Sequence, residues 1–224
     1  MKDNSKKSGL ALHIITPFIV CFLCLGIFLA VMIKPSDKLK VYMNLAFMDD
    51  LKITPDGTRG LVVKENEIVS DYSGETEETG EIIRPQFAEL YAVIKSDAFG
   101  VDVPVYWGSD RELFELGACQ SSGSVLIGEE GNTVISAHED TFFSELSNLK
   151  VGDTITVNTN YGQFKYKVKE LIEFKKTDNK YVVPSEETKL TLYTCKKNVL
   201  GSSDDRIGVI CELTEKQFYK GEVQ

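Results

Sequence analysis

Leu10 to Ile33 runs for 24 residues without a Lys, Arg, Asp or Glu. As a helix it is about 36 Å long, enough to cross a hydrocarbon core of about 30 Å. A cleavable signal peptide has an apolar region of roughly 7–15 residues ending in a small-x-small site. The run here is longer, and Phe28 to Ile33 (FLAVMI) contains no such site. The sequence therefore predicts an uncleaved transmembrane helix over 10–33, with a tail over 1–9. Lys2, Lys6 and Lys7 precede it and Lys34, Lys38 and Lys40 follow it, so the positive-inside rule does not set the orientation. Mass does. A nine-residue tail faces a body that holds 22 Lys and Arg against 33 Asp and Glu. The expectation is a single-pass protein of the cell membrane with its body outside the cell.

The 224-residue chain is 42% hydrophobic and 26% charged, a globular composition, and the body is large enough to bury a core without disulfides. A formal charge of −9 with no basic footprint excludes nucleic acid as a partner. Cys21 and Cys24 have C-x-x-C spacing but lie inside the apolar run, where metal or redox chemistry has no use for them. Cys119, Cys195 and Cys211 remain, an odd number, so at least one is a free thiol in an oxidising compartment. No metal-ligand spacing or cofactor motif is present. Neither a metal nor a cofactor is expected.

Beyond the span, Ser36 to Met48 reads as a capped helix and Asp56-Gly57 as a turn. Glu65 to Glu81 carries seven acids and no Lys or Arg. Residues 34–86 are read as an acidic linker or stalk, and 87–224 as the folded domain. From Phe87 onward short alternating runs dominate. Val101, Val103 and Val105 share one face; Ser124–Gly128 and Asn132–Ala137 flank a hairpin-like turn at Glu129–Asn132. Ile155 and Val157 alternate with threonines, and Phe164, Tyr166 and Val168 with lysines. Leu190–Cys195 and Arg206–Leu213 complete the strands, while Arg111–Leu116 and Thr141–Leu149 read as short helices. The class is mainly β, a sandwich or barrel.

Outside the apolar span the chain has one histidine, His138, at the end of a strand. Such a residue is more often a plain surface side chain. Cys195 ends Lys189-Leu-Thr-Leu-Tyr-Thr-Cys195, where period two sets Leu190, Leu192 and Thr194 on one face and Thr191, Tyr193 and Cys195 on the other. Lys196 and Lys197 follow it and are expected to lower its pKa. Cys211 shares a face with Val209 and Leu213 and reads as a core thiol; Cys119 lies in a loop and has no assigned role. If the last two strands pair as a hairpin across the ten residues Lys196–Asp205, Cys195 and Arg206 face each other. A thiol, an imidazole and a guanidinium there supply a nucleophile, an acid/base and a charge stabiliser.

Thr191-Leu-Tyr-Thr-Cys195 followed by Arg206 resembles the TLxTC…R signature of sortases, the cysteine transpeptidases of Gram-positive cell walls. Asn132-Thr-Val-Ile-Ser-Ala-His138, followed by Thr141-Phe-Phe143, is similar to their histidine segment. Leu149-Lys-Val-Gly-Asp153 and Tyr161-Gly162 match as well. The resemblance covers about Tyr91 to Leu213 and is greatest to class D sortases of clostridia-like bacteria. It implies an eight-stranded sortase-type β-barrel with short helices behind the membrane helix. It also implies that Cys195 attacks the Thr carbonyl of an LPxTG-like sorting signal, that His138 moves the protons, and that Arg206 holds substrate and oxyanion. Thr194 is implied as a substrate contact. The implied partners are sorting signals of secreted proteins, a peptidoglycan amine acceptor and the membrane.

Three departures stand out. Ala137 replaces the usual Gly before the histidine, and Glu139 stands where Arg or Asn is common. No Asp-Pro-aromatic lid motif occurs between Lys34 and Phe87, which argues against a pilus polymerase. Two other classes remain open: a membrane-tethered cysteine endopeptidase that hydrolyses, and a non-catalytic surface adhesion domain in which the three residues have no joint role.

Overall fold

The computed structural model describes residues 20–23, 72, 74–100, 102–197 and 203–220. The chain forms two units, 1–45 and 46–224. In the first, residues 20–23 are helical and exposed; the rest of the expected membrane span lies outside the described residues. Among the described residues, no helix is long and apolar enough to cross a membrane. The expected Ser36–Met48 helix, the Asp56-Gly57 turn and most of the acidic linker also fall outside them.

The second unit is built from strands β1 (Thr76–Glu77), β2 (Leu90–Lys95) and β3 (Val103–Trp107), helix α1 (Arg111–Phe114), then β4 (Ala118–Gln120) and β5 (Asn132–Ser136). A 3-10 turn at Leu146–Asn148 precedes β6 (Thr154–Thr159), β7 (Gly162–Lys175), β8 (Lys189–Cys195) and β9 (Asp205–Tyr219). The strand order β9-β7-β6-β2-β3-β4-β5-β8 closes on itself through β8–β9 pairing. Eight strands thus form a barrel, as expected. Closure removes the unpaired edges that an open sheet would expose. Two joints are parallel, β3–β4 and β5–β8, and the others antiparallel. β1 adds to the far end of β9, Tyr72 stacks on Tyr219 at 4.0 Å, and so the end of the acidic segment lies against the barrel.

Alternation fills the interior. Ile155 and Val157 pair with Tyr166 and Phe164, Leu190 and Val168 both pair with Cys211, and Leu192 pairs with Val209; all are at most 1% exposed. Each fully buried side chain of this size contributes roughly 1.5–3 kcal/mol. The opposite face of β7 carries Lys165, Lys167 and Lys169 toward water, as its pattern predicts.

Two features depart from the alternation reading. Ser124–Gly128 is a turn rather than a strand, so Glu129–Asn132 does not close a hairpin. Side chains, not a neighbouring strand, satisfy its backbone: Gln120 Nε2 donates to Val125 O at 2.7 Å, Tyr161 Oη to Ile127 O at 2.7 Å, and Lys216 Nζ to Gly128 O at 2.7 Å. Gly128 has φ +88°, and the Phe164 ring occupies the place where a Cβ would stand. Leu126 and Ile127 are buried all the same. Periodicity detected burial here and mistook its geometry.

The second departure is a β-bulge in β7 between Val168 and Glu170. Before it, Val168 pairs with the inward Cys211; after it, Ile172 and Phe174 pair with Gly208 and Arg206 on the outer face. The apolar spacing of two continues through the bulge, but the face flips. Ile172, Phe174 and Ile210 therefore form an outer cluster with Tyr181, Val182 and Tyr193. The 176–188 loop lies over it, held by Asn132, whose Nδ2 donates to Tyr181 O at 2.9 Å and Val183 O at 3.0 Å.

Cys211 is fully buried, with its thiol pushed up to about 12 by burial. Cys211→Ala is expected to lower stability by about 1–2 kcal/mol, the scale of a small core truncation. A urea midpoint shifted by that amount at unchanged slope confirms it; an unshifted midpoint removes Cys211 from the core.

Candidate active site

β8 is hydrogen-bonded along both edges, and its register assembles the site. On one side it pairs in parallel with β5, Ser136 opposite Tyr193. The Ala137 N–H donates to Tyr193 O at 3.4 Å and Thr194 Oγ1 donates to Ala137 O at 2.7 Å, so the chain continues alongside β8 past the last ladder pair. On the other side β8 pairs with β9, Cys195 directly opposite Arg206. Tyr193 belongs to the outer cluster, and Cys195, two residues on, shares that face with its partner Arg206; His138 follows two residues after the end of β5, exposed at the same rim. The hairpin expected from the sequence is present, and all three sequence-predicted residues are brought to one end of three adjacent strands.

Thr194 falls on the other face. It is 2% exposed, and its hydroxyl is committed to the Ala137 carbonyl. The implied substrate contact is therefore replaced by a brace: Thr194 ties the approach to His138 onto the strand of the nucleophile. Ala137 itself is 5% exposed and does not have positive φ; among described non-glycine residues only Ala88 does. No glycine is required there, and the departure leaves the backbone unstrained.

His138 is exposed at the strand end, and its ring meets Phe114 of α1 at 5.5 Å between centroids. Asp110 caps α1 by accepting from the Glu112 N–H at 3.0 Å. Beyond His138, the Phe143 N–H donates to His138 O at 3.1 Å, and Phe142, Phe143, Leu146 and Leu149 are all buried. The Thr-Phe-Phe stretch thus plugs the barrel end and anchors the loop that leaves the histidine.

Cys195 is half-buried and its thiol is raised above the ordinary value. Burial is the largest cause; the negative charge of Glu139 raises it further, and the positive charge of Arg206 opposes both. The expectation that Lys196 and Lys197 lower it is not met. Lys196 Nζ is held by Glu173 Oε1 at 2.6 Å instead. Arg206 Nη1 donates to Ser203 O at 2.8 Å and Asp205 O at 3.1 Å, which fixes the guanidinium at the mouth of the hairpin. Cys119 sits in β4 rather than a loop, buried, with its thiol pushed up to about 12 by burial. Neither it nor Cys211 competes as a nucleophile.

The sequence marked Glu139 as a departure beside His138 without linking it to the thiol, and it did not point to two other features. Phe114 meets the histidine only through the tertiary fold. The bed formed by Phe174, Tyr181 and Tyr193, with ring centroids 5.4 and 5.7 Å apart, depends on the bulge. Gly208 allows that bed to form, because a Cβ there would strike Leu192 O and Tyr193 Cβ. Among the described residues no group of three or more His, Cys, Asp and Glu side chains is arranged to hold a metal ion.

A family model described as the Sortase domain matches residues 94–214. Sortase D of Bacillus subtilis (strain 168) is 26% identical over 113 residues, 50% of this chain and 57% of that protein, so the chain spans little more than half the length of that relative. Among solved structures, a Clostridium perfringens Sortase D5 transpeptidase shares the fold with a TM-score of 0.54 and 24% identity, covering 58% of this chain and 82% of that one. Sortase A from Corynebacterium diphtheriae superposes with a TM-score of 0.52 at 26% identity, covering 56% and 61%. With more than half of its residues inside the family model, the chain belongs to the sortase family and is class D-like.

Proposed function

We propose that this protein is a membrane-anchored sortase that cleaves an LPxTG-like sorting signal after its Thr and transfers the new carboxyl end to a cell-wall amine. The observation that supports this reading is the double register of β8, which pairs Cys195 with Arg206 on one edge and brings the end of β5, two residues before His138, to the other. The apolar run over 10–33 supplies the anchor, and the acidic body works outside the cell. The outer cluster of Phe174, Tyr181 and Tyr193 adjoins Cys195 and offers an apolar bed for the signal peptide.

In the first half-reaction the Cys195 thiol passes its proton to His138 as sulfur attacks the Thr carbonyl carbon. The C–S bond forms, and the carbonyl oxygen becomes an oxyanion that faces the Arg206 guanidinium. Collapse breaks the peptide C–N bond while His138 returns the proton to the leaving amine. A thioacyl enzyme remains. In the second half-reaction an incoming amine gives a proton to His138 as it attacks the same carbon. The C–S bond then breaks, and His138 reprotonates the sulfur.

Because the Cys195 thiol lies above the ordinary range, its thiolate fraction at neutral pH is smaller than that of free cysteine. Its alkylation by iodoacetamide should rise with pH, with a midpoint above that of free cysteine. Glu139→Gln removes the charge that opposes the thiolate and should lower this midpoint; Arg206→Gln removes the charge that favours it and should raise it. Rates are followed by mass mapping of the Cys195 peptide, with buried Cys211 and Cys119 labelled only on unfolding. A midpoint below that of free cysteine would contradict the assigned surroundings.

The three groups should also fail differently with an LPxTG-like peptide and an amine. Cys195→Ala should yield no thioacyl enzyme by intact mass. His138→Ala should lose roughly a hundredfold or more in turnover. Arg206→Lys keeps the charge but loses the planar fork, and should remain badly impaired. Normal transfer by His138→Ala sinks the mechanism, since His13 in the apolar run is the chain's other histidine.

A further inference from the structure

Arg206 is the second residue of β9 and stands where the ladders run out. β9 lies between β8 and β7; its pairing with β8 stops at Arg206 and its pairing with β7 at Asp205. Strand ends of this kind fray unless something beyond the ladder holds them. The guanidinium is held through backbone, its Nη1 donating to Ser203 O and Asp205 O. Whatever fixes those two carbonyls therefore aims Arg206.

Three ion pairs tie the strand ends together at this point. Lys175 Nζ meets Asp205 Oδ1 at 2.5 Å and Lys176 Nζ meets Asp204 Oδ1 at 2.6 Å, so the end of β7 grips the start of β9. Lys196 Nζ reaches from the end of β8, past β9, to Glu173 Oε1 of β7 at 2.6 Å. Backbone bonds run beside them: the Lys176 N–H donates to Asp204 O at 2.8 Å and the Lys196 N–H to Asp205 O at 2.9 Å. Asp205 is the centre of this arrangement. Its carboxylate is held by β7, its carbonyl accepts from Lys196 and from Arg206, and its N–H donates to Ser203 Oγ at 3.0 Å. Its side chain is 33% exposed, against 46–65% for the other five charged partners, so its pair is the least screened of the three. A lone exposed pair adds little, but charges of alternating sign gathered at one rim act together. Alternation sets Glu173 and Lys175 on the face of β7 opposite Phe174, and Asp205 on the face of β9 opposite Arg206. The network thus grips the strand from behind.

We propose that Asp205 is a positioning residue for the transfer: its ion pair with Lys175 holds the start of β9 against β7, so that the Ser203 and Asp205 carbonyls aim the Arg206 guanidinium. This rests on the transpeptidase reading above, in which Arg206 faces the oxyanion. The Asp205 carboxylate lies on the other face and does not meet the substrate. A guanidinium displaced by about 1 Å loses much of its effect on a developing charge, and the loss falls on the transition state more than on substrate binding.

The full-length chain and its variants are assayed with an LPxTG-like peptide and propylamine at about 0.05 M salt. Asp205→Asn keeps the shape and removes the charge; kcat should fall roughly three- to fivefold, the ratio set by an ion pair of about 1 kcal/mol, while KM stays within about twofold. Lys175→Gln should behave alike. Asp205→Lys sets two cations against each other and should lower kcat roughly tenfold or more. Adding Lys175→Asp to Asp205→Lys restores an opposite-charge pair with reversed polarity and should recover most of that loss. Melting temperatures are followed in parallel. Unchanged kcat in every variant, a double variant as slow as Asp205→Lys alone, or losses that track only the folded fraction would overturn this proposal. Thioacyl enzyme and amide formed by the wild type would, in each of those cases, leave the transpeptidase reading standing. A wild type that forms neither would overturn both.

Discussion

The parallel ladder between β5 and β8 is the constraint on which the site depends. β8 is an interior strand, bonded to β5 on one edge and to β9 on the other, so its register is fixed twice. A slip of one residue would turn Leu190, Leu192 and Thr194 out of the core and Cys195 into it. Leu190 and Leu192 are 0% exposed, and moving both into water would cost several kcal/mol. The energy that sets the nucleophile's position is therefore core burial one residue away. The thiol's own environment adds little to it.

A parallel pairing also explains why residues so far apart in sequence meet. β5 and β8 run in the same direction, so both end at the same rim and their last side chains stand together. β9 runs the other way and contributes its first residues to that rim. The chain visits it at His138, at Cys195 and at Arg206, and each time a separate device fixes the visit. Thr194 pins the approach to His138, Lys196 is drawn off to Glu173, and Ser203 and Asp205 hold Arg206. The bulge in β7 then brings Phe174 across from Arg206, so that an apolar surface shares one side of the wall with Arg206 and Cys195.

Much of this was legible in the sequence because period-two patterns report faces directly. The phase of Lys189–Cys195 separated an outward Cys195 from its inward neighbours, and the phase of Arg206–Leu213 placed Cys211 in the core. What stayed hidden required knowledge of partners. Ser124–Gly128 has the apolar content of a strand, yet its hydrogen bonds go to Gln120, Tyr161 and Lys216 side chains. The bulge at Lys169 leaves the apolar spacing intact while reversing the face, so no periodicity could register it. The lysines after Cys195 were adjacent in sequence to the thiol, but a carboxylate across the strand claimed Lys196. Adjacency along a chain is weaker than adjacency across a sheet.

The electrostatics of the rim make one further point about how such a site divides its labour. A nucleophile prepared as a stable thiolate would need cations close to the sulfur and no anion. Here the sulfur is half-buried, under the negative charge of Glu139 and facing an Arg206 that is already donating to backbone oxygens. The resting state thus favours the protonated thiol, and in the proposed reaction sulfur becomes nucleophilic as its proton leaves for His138. This arrangement suits an enzyme whose sulfur must also depart. In the proposed reaction, a sulfur that is poorly stabilised as a free anion regains its proton from His138 as the C–S bond breaks. Glu139 and Arg206 therefore act on the thiol in opposite senses, the carboxylate against the thiolate and the guanidinium for it.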